Sequence, residues 1–135
     1  MLSRALYEFL RKKQYATKTV AFGGRKLKVE VADTFMKKMI GLMYRESLGR
    51  NDGMLFPIAQ PGILSATVTM MNMRFGLDII WLDSAGVVVD VAERLQPSSS
   101  PFDSHAPKKI AAYVLELNAG AAHRLGIKKG DKIKV

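Results

Sequence analysis

Two acidic side chains stand inside segments that are otherwise apolar. Asp78 and Glu116 are each flanked by hydrophobic residues on both sides, in stretches with the composition of buried strands. A carboxylate that points into a hydrophobic interior needs a partner, because burying an unpaired charge is costly. Arg74 is one basic candidate partner, and a buried Asp–Arg pair that orders the fold is the structural alternative to a ligand site. The sequence therefore predicts a semi-polar cavity as the candidate binding site, lined by Arg45, Asn72, Asp78 and Glu116.

Acidic residues are also frequent on and beside two neighbouring predicted strands. A hydrolytic acid/base pair or an Mg²⁺ or Ca²⁺ site could be drawn from such a set. Acids at hairpin ends are equally ordinary turn residues, and no local spacing matches a known metal-binding loop. We therefore assign no catalytic residue, no metal ligand and no cofactor, and favour a small binding or accessory module for a polar or anionic ligand over an enzyme. The alternatives are a small metal- or carboxylate-dependent hydrolase and a basic protein that associates with nucleic acid or a membrane surface. The residues concerned are Asp78, Asp83, Asp90, Glu93, Asp103 and His105.

Methionine is enriched, with eight residues in a chain of 135. Met39 and Met43 are one helical turn apart, a spacing at which two thioethers could hold Cu(I). Methionines more often fill irregular cores or line adaptable apolar grooves. The pattern therefore favours core packing, with a groove for an apolar ligand as the second interpretation.

The chain contains no cysteine, which excludes disulfides, thiol nucleophiles, zinc–thiolate sites and iron–sulfur clusters. This composition fits a reducing compartment, so we expect a cytoplasmic protein. No Gly-x-Ser-x-Gly motif occurs, and Gly23-Gly24 has no following helix that could hold a phosphate. Nucleophilic catalysis and nucleotide binding by known loops are therefore not expected.

The net charge of +9 is unevenly distributed. Residues 1–50 carry +8, residues 51–107 carry −4 and residues 108–135 carry +5. If the basic ends meet in space, they form a surface that attracts an anionic ligand, nucleic acid or an acidic membrane; a merely solubilising surface is the alternative. No apolar run approaches the roughly eighteen residues of a transmembrane helix. We expect a monomer or a weak dimer.

The elements that position these side chains are mostly short strands. Residues 2–13 predict a basic amphipathic helix, with Leu2, Ala5, Leu6, Phe9 and Leu10 on one stripe. Apolar and polar residues alternate on both sides of Gly23-Gly24, which predicts a hairpin. A helix is expected to follow, from Asp33 or Thr34 to about Arg45. A short helix at 119–125 is expected to end at Gly126. The remaining predicted strands are 53–56, 63–70, 77–82, 87–92, 110–117 and 130–135.

This pattern predicts a mostly β (α+β) fold. We expect a small antiparallel β-barrel or folded sheet of about seven strands, with one covering helix and an N-terminal helix. The length of 135 residues suits one domain rather than two. The expected organisation is a basic amphipathic helix at 1–16 followed by a single β-rich domain at 17–135.

Several ordered motifs run through most of the chain. They are Gly41-Leu42-Met43-Tyr44-Arg45, Gly53-Met54-Leu55-Phe56, Leu77-Asp78-Ile79-Ile80-Trp81-Leu82-Asp83, Tyr113 to Gly120 and Gly126-Ile127-Lys128-Lys129-Gly130-Asp131. Together they resemble the domain of unknown function 192 family, also called uncharacterised protein family 0127, over residues 17–135. The resemblance implies a compact, mostly β domain with a helix after the first hairpin. It implies no enzyme activity, cofactor or substrate.

Overall fold

A computed structural model describes residues 4–11 and 15–135, and these contain six strands and three short α-helices. The helices are α1 (Arg4–Arg11), α2 (Phe35–Ile40) and α3 (Ala121–Leu125). The strands are β1 (Thr17–Phe22), β2 (Arg25–Val31), β3 (Asp52–Gly62), β4 (Leu77–Leu82), β5 (Val88–Leu95) and β6 (Ala111–Asn118). The mostly β, α+β fold class is confirmed. Within the described ranges no helix has the length and apolar character needed to cross a membrane.

The six strands form one mixed sheet in the order β1-β2-β3-β6-β4-β5, and the sheet is not closed into a barrel. All neighbouring pairs are antiparallel except β2 and β3, which run parallel. Parallel strands need a crossover connection, and here α2 and the turns up to residue 51 provide it. The folded-sheet form of the prediction is therefore the correct one, with one parallel pair.

Local interactions account for the first hairpin and for both ends of α2. Gly23 and Gly24 both have positive φ (54° and 76°), as a two-residue hairpin turn requires. At the start of α2 the Thr34 hydroxyl accepts a hydrogen bond from the N–H of Lys37 at 3.2 Å. The helix ends at Gly41 (φ 51°), earlier than the predicted end near Arg45. A Cβ there would lie 3.1 Å from the Phe56 ring, so glycine permits this close approach.

Two predicted strands are replaced by other structure. The alternation over 63–70 instead becomes a 3₁₀ turn at Leu64–Ala66 followed by irregular chain. The buried indole N–H of Trp81 donates to the carbonyl of Ala66 at 2.8 Å, and Asp103 accepts the N–H of Met70 at 2.7 Å. Together with the two backbone hydrogen bonds that Val68 exchanges with His105, these contacts hold the segment outside the six-stranded sheet. Residues 130–135 form only isolated bridges, to Ala21 and Val87.

The strand predicted over 53–56 is longer in the structure and continues through Pro57. Proline lacks a backbone N–H and is tolerated in a strand at a bulge or where one side has no neighbour. Both conditions hold here, because β2 pairs with β3 only as far as Leu55 and the register with β6 shifts after Pro57.

The sheet buries a hydrophobic core on each face. On the first face, Ile80 and Leu115 pack under α3 and the C-terminal segment. On the second face, Ile79, Trp81 and Val114 pack under the segment that follows α2 and under the chain around the 3₁₀ turn. The central strands β4 and β6 are consequently buried on both sides, and a single step along either strand moves a side chain from one core to the other.

The described part of the N-terminal helix contacts the body through Tyr7, which is buried and whose ring lies 5.3 Å from the ring of Tyr44. Phe9, which the predicted apolar stripe includes, is 59% exposed. Leu2 of the stripe lies outside the described residues, and the structure does not describe the side chains of Leu6 and Leu10.

Candidate functional site

The candidate site is built around Glu116 in the middle of β6. This strand lies between β3 and β4, where Glu116 is opposite Met54 on one side and Ile79 on the other. Hydrogen-bonded neighbours on both sides hold its backbone rigidly, and only 7% of the residue is exposed. Its side chain shares the second face with Val114, under the segment that follows α2.

A cavity of about 250 Å³ lies over Glu116. The end of α2 and its following turn form one wall, the chain from Ser65 to Thr69 forms another, and β3 and β6 form the floor. Gly41 lies at this junction, and a Cβ there would be 3.9 Å from Oε1 of Glu116. Most of the lining is apolar, contributed by Ile40, Leu42, Phe56, Met73 and Val114.

The Glu116 carboxyl has neither a hydrogen bond nor an ion pair with any other residue that the structure describes. Burial alone raises the pKa of Glu116 from its ordinary value of 4.5 to about 8. At neutral pH the group is therefore mainly an uncharged acid. A carboxyl that is buried, without a partner and next to a hollow is available to a ligand.

Three residues that carry hydroxyl groups also line this cavity: Ser65, Thr67 and Thr69. Ser65 donates its hydrogen to the carbonyl of Gln60 at 2.8 Å, and Thr67 donates to the carbonyl of Ile63 at 3.1 Å. Each oxygen keeps a lone pair that can accept another hydrogen bond. Sequence reasoning missed these residues because their alternating pattern indicated a strand.

Asp78 lies on the opposite face of the sheet from Glu116. It is opposite Leu117 on β6, and both side chains are on the first face, next to α3. Its two carboxylate oxygens accept backbone N–H groups of Arg94 and Ala122, each at 2.8 Å. Ala122 is in the first turn of α3, so Asp78 caps the start of that helix and has the hydrogen bonds that a buried carboxylate requires.

Arg45 and Asn72 do not line the Glu116 cavity either. Arg45 forms two hydrogen bonds to Glu30, at 2.5 and 3.1 Å, and lines a larger polar cavity of about 860 Å³ next to α1. Asn72 accepts the N–H of Tyr44 through its carbonyl, and its side chain lies 3.9 Å from the sulfur of Met43. The structure thus separates the four predicted residues and leaves Glu116 alone in its cavity.

A catalytic carboxylate pair is not formed by Asp78 and Glu116, since they lie on opposite faces. Among the described residues, no three His, Asp or Glu side chains are grouped closely enough to hold a metal ion. His105 contacts Asp103 at 3.1 Å, and Asp103 also accepts the N–H of Met70. This pair joins the loop after β5 to the chain after the 3₁₀ turn.

The methionines divide between the two predicted roles. Met54 and Met70 are fully buried in the second core. Met39, Met43 and Met73 line the Glu116 cavity, and Met39 is 44% exposed at its edge. Flexible thioether side chains in this position make an apolar wall that can adapt to different ligands.

The two basic ends of the chain meet at the edge of the sheet. Ala21 on β1 exchanges two backbone hydrogen bonds with Lys134, at 3.1 and 2.9 Å, and its other neighbour is Lys26 on β2. Lys26 and Lys134 are both exposed. The basic N-terminal and C-terminal segments therefore lie side by side at this hairpin.

Comparison with known proteins identifies related sequences and structures. The model of the family DUF192, described as "Uncharacterized ACR", matches residues 18–135. A protein of uncharacterised protein family 0127 from Thermococcus kodakarensis is 33% identical over 106 residues, which are 78% of this chain and 63% of that protein. Another from Pyrococcus abyssi is 34% identical over 107 residues, which are 79% of this chain and 85% of that protein.

Two solved structures share the fold. One is a candidate transcription regulator from Sinorhizobium meliloti, with a TM-score of 0.80 and 31% identity, covering 90% of this chain and 95% of that one. The other is a protein of unknown function from Novosphingobium aromaticivorans, with a TM-score of 0.74 and 33% identity, covering 90% of this chain and 85% of that one. The chain thus spans under two thirds of the Thermococcus relative but nearly all of the Sinorhizobium structure.

Proposed function

The chain belongs to the DUF192 family of uncharacterised proteins, and on that premise we propose a function from its own geometry: it is a binding module for a small molecule with an apolar body and one polar group. The polar group contacts Glu116, and the apolar part lies against the side chains of the surrounding cavity. The observation that supports this proposal is a buried carboxyl, without a described partner, that lines a hollow of about 250 Å³.

The arrangement favours binding over catalysis. Glycoside hydrolysis and related chemistry use two carboxyl groups that act together, and the described residues that line the Glu116 cavity include one. Specific small-molecule sites are mostly apolar and have a few polar groups that orient the ligand. Among the residues predicted from sequence, we propose Glu116 as the ligand contact, and we propose that Arg45, Asn72 and Asp78 position the surrounding chain.

Binding can be located with methionine methyl groups as reporters. We expect 1-hexanol to shift the NMR signals of Met39, Met43 and Met73 in a saturable manner, because these side chains line the cavity. Met71, which does not line the cavity, serves as the internal control and should shift much less. Shifts of equal size at all four methyl groups, or no saturable shift, would show that the cavity does not take an apolar ligand.

A second candidate function, nucleic-acid binding, is favoured by the contact between the basic ends of the chain. The related Sinorhizobium protein is described as a candidate transcription regulator, and an exposed lysine row at Lys26 and Lys134 could contact phosphates. If this surface binds DNA, affinity for a short duplex should fall steeply with salt, and replacing both lysines by Gln should weaken binding and reduce the salt dependence. A gel shift that is absent at low salt would reject this function.

We also propose an organisation and a setting for the chain. A basic N-terminal segment at 1–16, which contains α1, precedes one β-rich domain at 17–135, and the protein acts in the cytoplasm as a monomer or a weak dimer. The absence of cysteine supports a reducing compartment. Sedimentation at several concentrations tests the oligomeric state.

A further inference from the structure

The polar groups around the cavity above Glu116 are suited to a ligand that donates hydrogen bonds. The hydroxyl hydrogens of Ser65 and Thr67 are already used by backbone carbonyls, and Thr69 is 3.4 Å from a carboxylate oxygen of Asp103 while it accepts the N–H of Met71. The oxygens of Ser65 and Thr67 can therefore accept further hydrogen bonds, whereas their hydrogens are not available to a ligand.

The charges around Glu116 also favour a ligand that donates hydrogen bonds. Lys38, at the end of α2, is the only other titratable group among the described residues that line the cavity. The 3₁₀ turn, the chain at 67–69, β3 and the rest of β6 contribute no charged lining residue there. Lys38 forms no ion pair with Glu116, and the carboxyl of Glu116 has no partner among the described residues. An ionised carboxylate in this environment lacks a positive partner, which a ligand can supply.

We propose that the ligand of the Glu116 cavity is an organic cation, specifically a primary ammonium group on a short apolar chain; this inference rests on the proposed binding function. An ammonium group donates three N–H bonds, and the acceptors that the residues lining this cavity offer are the Glu116 carboxylate and the hydroxyl oxygens of Ser65 and Thr67. The Phe56 ring also lines the cavity and adds an aromatic surface for a cation.

The size of the cavity limits the apolar part of the ligand. A volume of about 250 Å³ corresponds to roughly eight water molecules in the liquid. This space suits a small aliphatic or monocyclic amine and is too small for a nucleotide or a folded peptide segment. Ile40, Leu42, Met73 and Val114 would cover the hydrocarbon.

Binding of such a cation requires ionised Glu116, so a proton leaves the carboxyl when the ligand binds below pH 8. Because an alkylammonium stays charged up to about pH 10, as lysine does, its own titration does not interfere. We expect the affinity for the cation to rise about tenfold for each pH unit up to about 8 and then to level off. A neutral alcohol should show no such increase.

The test compares n-hexylamine, 1-hexanol and hexanoate, which share one chain and differ in the head group. Affinities are measured between pH 6 and 9 for the wild type, Glu116→Gln and Glu93→Gln. Glu93→Gln is a matched control, since Glu93 is an exposed acid on β5. Thr67→Val, which keeps the side-chain shape and removes the hydroxyl, tests the second contact.

Above pH 8 we expect the amine to bind more tightly than the alcohol and hexanoate to bind most weakly. Glu116→Gln should abolish the preference for the amine, whereas Glu93→Gln should keep it. Thr67→Val should weaken the binding of the amine severalfold and change the binding of the alcohol little. If the alcohol binds in the cavity but the amine shows neither preference nor pH dependence, the cation proposal is wrong and the binding function stands. If none of the three binds, both proposals fail.

Discussion

Replacing Glu116 by Gln is expected to make the protein more stable than the wild type by about 5 kcal/mol above pH 8, and to change stability little near pH 4. The unfolded chain releases the Glu116 proton near pH 4.5, whereas the folded protein holds it until about pH 8. Between these values the folded state carries more protons, so raising the pH favours unfolding. Because Gln does not titrate, the Glu116→Gln variant does not lose stability in this way as the pH rises.

Urea unfolding at a series of pH values between 4 and 9 measures this effect. The difference in free energy of unfolding between the wild type and Glu116→Gln should grow through the whole interval from pH 4.5 to 8. Glu93→Gln removes the same charge at an exposed position and should follow the wild-type curve closely. Parallel curves for the wild type and Glu116→Gln would mean that the carboxyl is solvated or paired.

Replacing Asp78 by Ala is expected to destabilise the protein by about 3 to 5 kcal/mol, since two hydrogen bonds to a buried carboxylate are lost and two N–H groups are left without an acceptor. Asp78→Asn should cost about half as much, because its amide oxygen can accept from only one of the two groups. The first turn of α3 depends on the bond to Ala122, so local order in that helix should decrease as well.

Urea unfolding at pH 7 measures the loss for both variants, and hydrogen exchange at the amide of Ala122 reports on α3. Glu93→Ala, an exposed acidic position, is the control and should cost under about 0.5 kcal/mol. A loss below about 1 kcal/mol for Asp78→Ala would contradict the capping role of Asp78.

Those parts of the fold that depend on neighbouring residues could be predicted from the sequence. The alternation on both sides of Gly23-Gly24 defines the β1–β2 hairpin, and its pairing runs from Phe22 opposite Arg25 to Thr17 opposite Glu30. The short helix that ends at Gly126 is also found, with Gly126 at a φ of 71°. In both cases the turn residues and the flanking pattern determine the structure.

Pairing between distant strands could not be predicted in the same way. The parallel contact of β2 with β3 depends on where the chain returns after α2, and no residue in the intervening turn encodes that direction. The segment 63–70 has the alternation of a strand, but its backbone bonds go to Trp81, Asp103 and His105 instead. These partners are distant in sequence, so the local pattern gives no indication of them.

For the site, the sequence identifies Asp78 and Glu116 as buried acids, but it does not show where they point and gives no sign that Asp90 is buried as well. Asp78 and Glu116 are both in strands buried on two faces, so hydrophobicity does not alternate and cannot indicate the facing of either side chain. The register of β4 against β6 places Asp78 opposite Leu117 and Glu116 opposite Ile79, which puts the two acids in different cores. A shift of one residue in this register would have placed Asp78 opposite Glu116, with both side chains on the same face of the sheet.

The protonation of Glu116 is the property on which the binding site depends. The most direct test is an NMR titration of its side-chain carboxyl carbon between pH 4 and 10, in the absence of ligand, with Glu116→Gln used to assign the signal. We expect a midpoint near pH 8. A midpoint near the ordinary value of 4.5 would mean that water or a basic side chain already stabilises the charge, and would contradict the proposed ligand site.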